Sequence, residues 1–251
     1  MRWSPLTATI GLRLDDCRFI VRGRQVQPRV GAAWLLPDGR TTLRASYNRN
    51  YQTPPNENLL ISSSPTASRL APPSVRAALG TGYRPIAPER QDVVEAGVQH
   101  VFGDGVTVDV SAYRKRSRDA QDNNNFLDTG VIFPTTLAAL RAHGVEARLT
   151  VPARHGVGGT LSVTSARAVA TPPFTGGLFL GQDAVDLLSA GPFVIDHDQR
   201  LSAHATVHAD LAHGVWTSGS VRYDSGLVSN PSSPADVAAS PDYADLLPYV
   251  N

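Results

Sequence analysis

The sequence predicts an all-β fold in which about nine to ten strands follow one another as an antiparallel up-and-down meander. Two observations lead to this prediction: apolar and polar residues alternate along much of the chain, and tight turns alternate with long connections. The clearest alternation lies in segment 201–211, where every odd position is apolar and every even position is polar. Such a run excludes an amphipathic helix, because the apolar positions of a helix recur every three to four residues.

The same pattern predicts the other strands in chain order. In segment 106–113 the valines at 106, 108 and 110 alternate with polar residues, and segment 145–151 repeats the pattern. Segment 134–142 fits either a helical turn or an early start of the strand that follows, and both interpretations stay open. A tenth strand is predicted to begin at Tyr249. The nine other predicted strands are 6–14, 25–36, 41–51, 90–102, 106–118, 143–152, 158–168, 199–211 and 215–224.

The connections between these strands are of two kinds. Tight turns contain a glycine, which supplies the positive φ that a hairpin requires; they lie at 37–39, 103–105, 154–156 and 212–214. Long polar connections alternate with them, at 15–24, 52–89, 119–142, 169–198 and 225–245. Loops longer than about 12–15 residues are uncommon in compact soluble domains, whereas a membrane β-barrel has tight turns at one end and long loops at the other. The sequence therefore predicts a partial transmembrane β-barrel with long extracellular loops.

The composition excludes several other classes of protein. The chain has 251 residues, of which 41% are hydrophobic and 18% charged, and no segment reaches the roughly 18 consecutive apolar residues that a membrane helix requires. The single cysteine, Cys17, excludes a disulfide framework or a multi-cysteine metal site. A formal net charge of +1 gives no indication of nucleic-acid binding.

Four stretches resemble, in order and spacing, the C-terminal β-barrel of the TonB-dependent outer-membrane receptors. Together they cover nearly the whole chain. The stretches are Gln25–Trp34 with Thr42–Pro54, Pro88–Arg90 with Val94–Val98, Ala112–Arg116 with Gly144–Ala147, and Asp196–Arg200.

The resemblance implies active import of a scarce ligand, of the siderophore, cobalamin or oligosaccharide class, across the outer membrane of a Gram-negative-type cell. It implies a barrel of ~22 strands with a plugged lumen, embedded in outer-membrane lipid, and an inner-membrane TonB-type complex that acts through a region preceding the barrel. We expect residues 1–251 to be one partial barrel domain that is not closed and that has neither the plug domain nor a signal peptide. A passive porin-like barrel and a soluble β-sandwich binding module remain alternatives.

The resemblance also assigns candidate site residues, because the family holds its ligand with extracellular loops and inward-facing residues. Candidate ligand contacts are Arg69, Arg76 and Arg84, which suit an anionic chelate, and Asn123, Asn124, Asn125 and Phe126, which suit a sugar or another polar ligand. Candidates that face the lumen or the plug are Arg44, Glu95, Asp109, Glu146, Arg148, His204 and His208. In segment 201–209 we expect the odd positions to face lipid.

No catalytic site, metal site or cofactor is predicted. His204 and His208 are separated by about 13 Å along a strand, too far to share an ion, and Ala205 replaces the glutamate of the zinc-protease motif. Segment 196–198, Asp-His-Asp, is interpreted as a solvated loop end rather than a cation site. The sequence has no nucleophile elbow, phosphate loop or dinucleotide fingerprint.

Overall fold

The computed structural model describes residues 5–19, 21–54, 73, 77, 86–125, 132–176, 191–195 and 198–227. These residues form ten strands and a single-turn 3₁₀ helix at Ala212–Gly214. None of the helices in the described ranges is long and apolar enough to cross a membrane. The strands are β1 Leu6–Arg18, β2 Arg22–Leu35, β3 Thr41–Gln52, β4 Glu89–Val101, β5 Thr107–Asn125, β6 Ile132–Arg154, β7 Val157–Gly176, β8 Phe193–Val194, β9 Leu201–Asp210 and β10 Trp216–Asp224.

All ten strands belong to one antiparallel sheet whose order follows the chain. The order is β1-β2-β3-β4-β5-β6-β7-β9-β10, and the short β8 pairs with β7 outside this path. Over the described residues β1 pairs only with β2 and β10 only with β9, so the sheet is not closed. The predicted all-β meander and partial barrel are confirmed.

Several strands are longer than the alternation predicted. Strand β6 begins at Ile132, so segment 134–142 is an early strand start rather than a helical turn. Strand β5 continues to Asn125 and β7 to Gly176, which shortens the predicted connections 119–142 and 169–198. The predicted long connection 15–24 is wrong, because Asp15–Arg18 pairs with Arg22–Gln25 across a connection of three residues. The predicted strand at Tyr249 lies outside the described residues.

The tight turns have the backbone geometry that their glycines predicted. Gly39, Gly105, Gly156 and Gly214 have φ between 65° and 82°. In the first turn Asp38 accepts a hydrogen bond from the Thr41 hydroxyl and, at 2.9 Å each, from the backbone N–H groups of Arg40 and Thr41. These bonds, the one from the Thr41 side chain above all, lower the pKa of Asp38 to about 2. The ionised carboxylate therefore stabilises the turn.

The register separates the side chains onto two faces. The polar face carries Arg44, Asp109 and Glu146; the apolar face carries Leu43, Val98 and Val145. Large apolar side chains remain exposed on the second face: Ile10 is 82% exposed, Val221 71% and Val207 55%. A continuous exposed apolar surface of this kind is typical of a protein that contacts another molecule or a membrane.

Candidate functional site

A depression of about 490 Å³ occupies the middle of the polar face. Its walls come from β3 to β7, so five consecutive strands contribute to it. Five of the predicted lumen-facing residues line it together. The lining residues are Arg44, Glu95, Gln99, Thr107, Asp109, Ser111, Glu146, Ala147, Arg148, Thr150, Ser162 and Thr164.

An ion pair between Arg44 and Asp109 crosses the centre of this depression. Arg44 on β3 donates two hydrogen bonds to the Asp109 carboxylate on β5, at 2.8 and 2.5 Å, and so passes over the intervening strand β4. The residue beneath the guanidinium is Gly97: a Cβ at this position would lie 2.9 Å from Arg44 Cζ. A glycine in β4 is therefore what allows the side chain to span three strands.

Further charges lie around this pair. Glu95 is close enough to Arg44 to add to its electrostatic stabilisation, and Arg148 is the direct cross-strand partner of Asp109. Glu146 pairs with Ser111 on one side and with Thr164 on the other. Two cationic and three anionic side chains thus alternate over a small area, an arrangement that suits contact with a polar surface or a polar solute better than with lipid.

Two other long side chains on the polar face lie over glycines in the same way. Tyr113 covers Gly144, where an added Cβ would lie 2.8 Å from the ring and the hydroxyl oxygen. His208 covers Gly158, with its Cε1 2.7 Å from such a Cβ. His204 shares this face because it pairs with Ser162, which lines the depression. The two histidines are four residues apart on β9, and no group of three potential metal ligands occurs within the described ranges.

Only some of the predicted ligand-contact residues lie among the residues that the structure describes. Arg69, Arg76, Arg84 and Phe126 lie outside the described residues. Residues 123–125 were predicted in a loop, but their backbones pair with Ile132–Pro134 at the ends of β5 and β6.

Asp198 corrects a second loop prediction, the solvated end at 196–198. It is 3% exposed, accepts a hydrogen bond from the Ala168 backbone N–H at 2.6 Å and lies 3.2 Å from Arg200 Nε. Asp196 and His197 lie outside the described residues.

The family model described as "TonB dependent receptor-like, beta-barrel" matches residues 1–246. The chain belongs to this family. A search of curated proteins found no match. Members of the TonB-dependent receptor family act in transport at the outer membrane; they are not enzymes, and in general they work with a plug domain and a TonB partner.

Several lining residues of this TonB-dependent receptor barrel were missed by the sequence reasoning. Thr107 and Thr150 line the depression and pair with each other, and their cross-strand row continues outside it through Thr160 to Thr206 on β9. The alternation around each tight turn contains the signal, because a two-strand hairpin fixes which residues share a face. Gly97 gave no such signal, because its role depends on the side chain of Arg44, its cross-strand partner on β3.

Proposed function

We propose that this chain is part of the β-barrel of an outer-membrane active importer, and that its polar face is directed to the lumen and contacts the plug domain. The observation that carries the proposal is the ion pair between Arg44 and Asp109, set among Glu95, Glu146 and Arg148 at mid-strand. At the same level along the strands, the opposite face of the sheet is apolar and exposed. A barrel that crosses a bilayer needs that division between its two surfaces.

The alternating charges support a plugged lumen rather than an open pore. A water-filled pore also has a polar lining, but a folded plug presents in addition fixed donors and acceptors that the Arg44–Asp109 pair and its charged neighbours can meet. The glycines under Arg44 and Tyr113 hold these two side chains close to the wall. This leaves the polar face accessible to a packed domain.

The proposed ligand class rests on the candidate residues of the predicted loops. We propose that Arg69, Arg76 and Arg84 recognise an anionic chelate such as an iron–siderophore complex, and that Asn123, Asn124, Asn125 and Phe126 add polar and aromatic contacts. Guanidinium groups bind carboxylate and other oxyanion groups with two parallel hydrogen bonds. Cobalamin and oligosaccharides are the competing ligand classes.

The test measures uptake in cells that carry or lack the gene for the full product. Radiolabelled ferric siderophores, cobalamin and oligosaccharides are supplied one at a time, with and without a protonophore. We expect gene-dependent uptake of one ferric siderophore, and we expect the protonophore to abolish it because TonB-type coupling requires an energised inner membrane. Uptake that continues in de-energised cells would identify a passive porin instead.

A pair of variants ties uptake to the polar face. Asp109→Ala removes the partner of Arg44, and Asp104→Ala removes a carboxylate from the tight turn before β5. We expect Asp109→Ala alone to lower uptake at equal amounts of protein in the outer membrane. Equal uptake by both variants would remove the polar face from the transport mechanism.

A further inference from the structure

The apolar face ends in a row of arginines toward the long-loop ends of β5, β6 and β7. On β5 the exposed side of the strand continues from Ala112 to Arg114, Arg116 and Arg118, while Tyr113, Lys115 and Ser117 between them are less exposed. The arginines therefore share a face with Val110 and Ala112 and point away from the depression. We name Arg114, Arg116, Arg118, Arg141 and Arg167 the basic patch; all five are exposed.

The register brings the patch together across three strands. Arg114 pairs with His143, which pairs with Arg167, and Arg116 pairs directly with Arg141. Cross-strand partners have Cβ atoms about 4.5–5.5 Å apart, and like charges at that distance destabilise a sheet. The fold therefore tolerates a repulsion here that an anion would relieve.

One carboxylate borders the patch: Asp92 is the direct cross-strand partner of Arg116, so it offsets only part of the charge of the five arginines. Asp92 accepts hydrogen bonds from Tyr47 at 2.6 Å and from Arg49 at 2.8 Å, and Asp119 lies 3.6 Å from Arg90. Within the described part of the chain, no carboxylate forms a salt bridge with a residue of the basic patch. The patch therefore carries an excess of positive charge.

Its position indicates what supplies the negative charge. The patch begins where the apolar band of β5 to β7 ends, on the side opposite the tight turns. If the apolar band lies in the hydrocarbon layer, this is the level of the lipid headgroups of the outer leaflet. Guanidinium groups bind phosphate with paired, charge-assisted hydrogen bonds.

We propose that the basic patch binds the phosphate groups of phosphorylated lipid headgroups in the outer leaflet, and so anchors this side of the barrel wall. The inference rests on the proposed placement of the apolar face in the outer membrane. It adds a lipid-binding site to the outer surface, separate from the polar face that serves transport.

The test uses the full gene product in detergent micelles with a chelator present, so that divalent cations cannot bridge lipid to carboxylates. The probe is lipid A that carries two phosphates, and the control lipid is the same molecule without phosphate. One cationic side chain near an anionic lipid surface changes affinity about fivefold. We expect R116Q to weaken binding about fivefold, and R114Q/R116Q/R141Q about a hundredfold.

K115Q is the matched control. Lys115 lies between Arg114 and Arg116 on the same strand but on the opposite face, so its removal changes the net charge equally. We expect its affinity for lipid A to equal that of the unchanged protein. Equal weakening by K115Q and R116Q would overturn the proposal, and so would equal binding of the lipid without phosphate.

Two further measurements distinguish a lipid phosphate from other sources of negative charge. Binding of inorganic phosphate alone, or of polyglutamate, with the same dependence on Arg116 would overturn the assignment to a lipid. Heat-modifiable migration on a gel reports membrane-type folding independently of lipid A. A protein that folds but does not distinguish the two lipids would refute only this inference, whereas a protein that never folds in micelles would refute the proposed function as well.

Discussion

The centre of the sheet and its β9–β10 edge have the same alternation, yet they are held together differently. In the centre, Arg44 on β3 reaches Asp109 on β5, and Tyr113 on β5 lies over Gly144 on β6. At the edge every residue of β10 is exposed, and the Arg222–Asp224 ion pair connects two positions of one strand. Alternation therefore fixes the faces throughout, while among the described residues the ion pair that reaches across a whole intervening strand lies in the centre.

The largest effect is expected from a substitution that places a charged side chain on the apolar face, because both regions depend on the separation of the two faces. Val207 lies on the apolar face of β9, and Thr206 lies on the polar face because it pairs with Thr160. We expect Val207→Arg to destabilise the folded protein in bilayers by about 2–4 kcal/mol, and Thr206→Arg to be nearly silent. Folding titrations in lipid vesicles measure both. Equal effects would contradict the face assignment at the edge.

The second prediction, a smaller effect, compares the addition of one methyl group in the centre of the sheet with the same addition at its edge. An alanine at Gly97 would place its Cβ 2.9 Å from Arg44 Cζ, whereas nothing lies within 4 Å of such an atom at Gly219 on β10. We expect Gly97→Ala to destabilise by about 1–3 kcal/mol, because Arg44 must leave Asp109 or the strand must shift.

Gly219→Ala is the control for this prediction. It should be neutral or stabilise by up to ~1 kcal/mol, since alanine loses less conformational entropy than glycine on folding. Denaturant unfolding in the same micelles compares the two variants. A Gly97→Ala variant as stable as Gly219→Ala would mean that the Arg44 side chain does not need the space above β4.

The sequence predicted most of this fold because period-2 alternation needs only local information. The faces of Val207 and Thr206, and the positive φ of Gly39 and Gly105, follow from residues next to each other in the chain. The prediction stopped too early on β5, where Asp119 has a φ of 52° and the polar run that follows conceals the alternation. A local irregularity and a uniform composition both remove the signal that alternation provides.

The candidate site was predicted less completely than the fold. Mid-strand charge identified Arg44 and Asp109, but their pairing joins strands that are not adjacent, and periodicity carries no information about such a contact. Gln27 illustrates a related limit on adjacent strands: its side chain donates a hydrogen bond to Asp15 on β1 and accepts one from the Tyr51 N–H on β3 at 3.0 Å. There it connects β2 and β3 beyond the last paired residues of their ladder, Arg29 and Asn48.

The coupling between charges gives a third comparison of the two regions. The side chains of Arg44 and Asp109 are 33% and 24% exposed, and those of Arg222 and Asp224 are 68% and 32% exposed. A double-mutant cycle to alanine should give a coupling energy of about 1 kcal/mol for the central pair and no measurable coupling for the edge pair. Unfolding free energies at low ionic strength measure both. A larger coupling at the edge would contradict the difference in cross-strand stabilisation.

The smallest effect concerns the turns that precede a central strand and an edge strand. Asp38 accepts three hydrogen bonds in the turn before β3, whereas the turn at Ala212–Gly214 before β10 has no side-chain cap.

Because the pKa of Asp38 is lowered from 3.8 to about 2, its ionised form favours the folded state. This contribution is complete above the unfolded-state pKa and is lost as the pH falls through the folded-state value. We therefore expect the free energy of unfolding of the unchanged protein to fall between about pH 4 and pH 2, and Asp38→Asn to reduce that fall. An identical pH profile for the two proteins would show that the hydrogen bonds to Asp38 do not stabilise the β2–β3 hairpin.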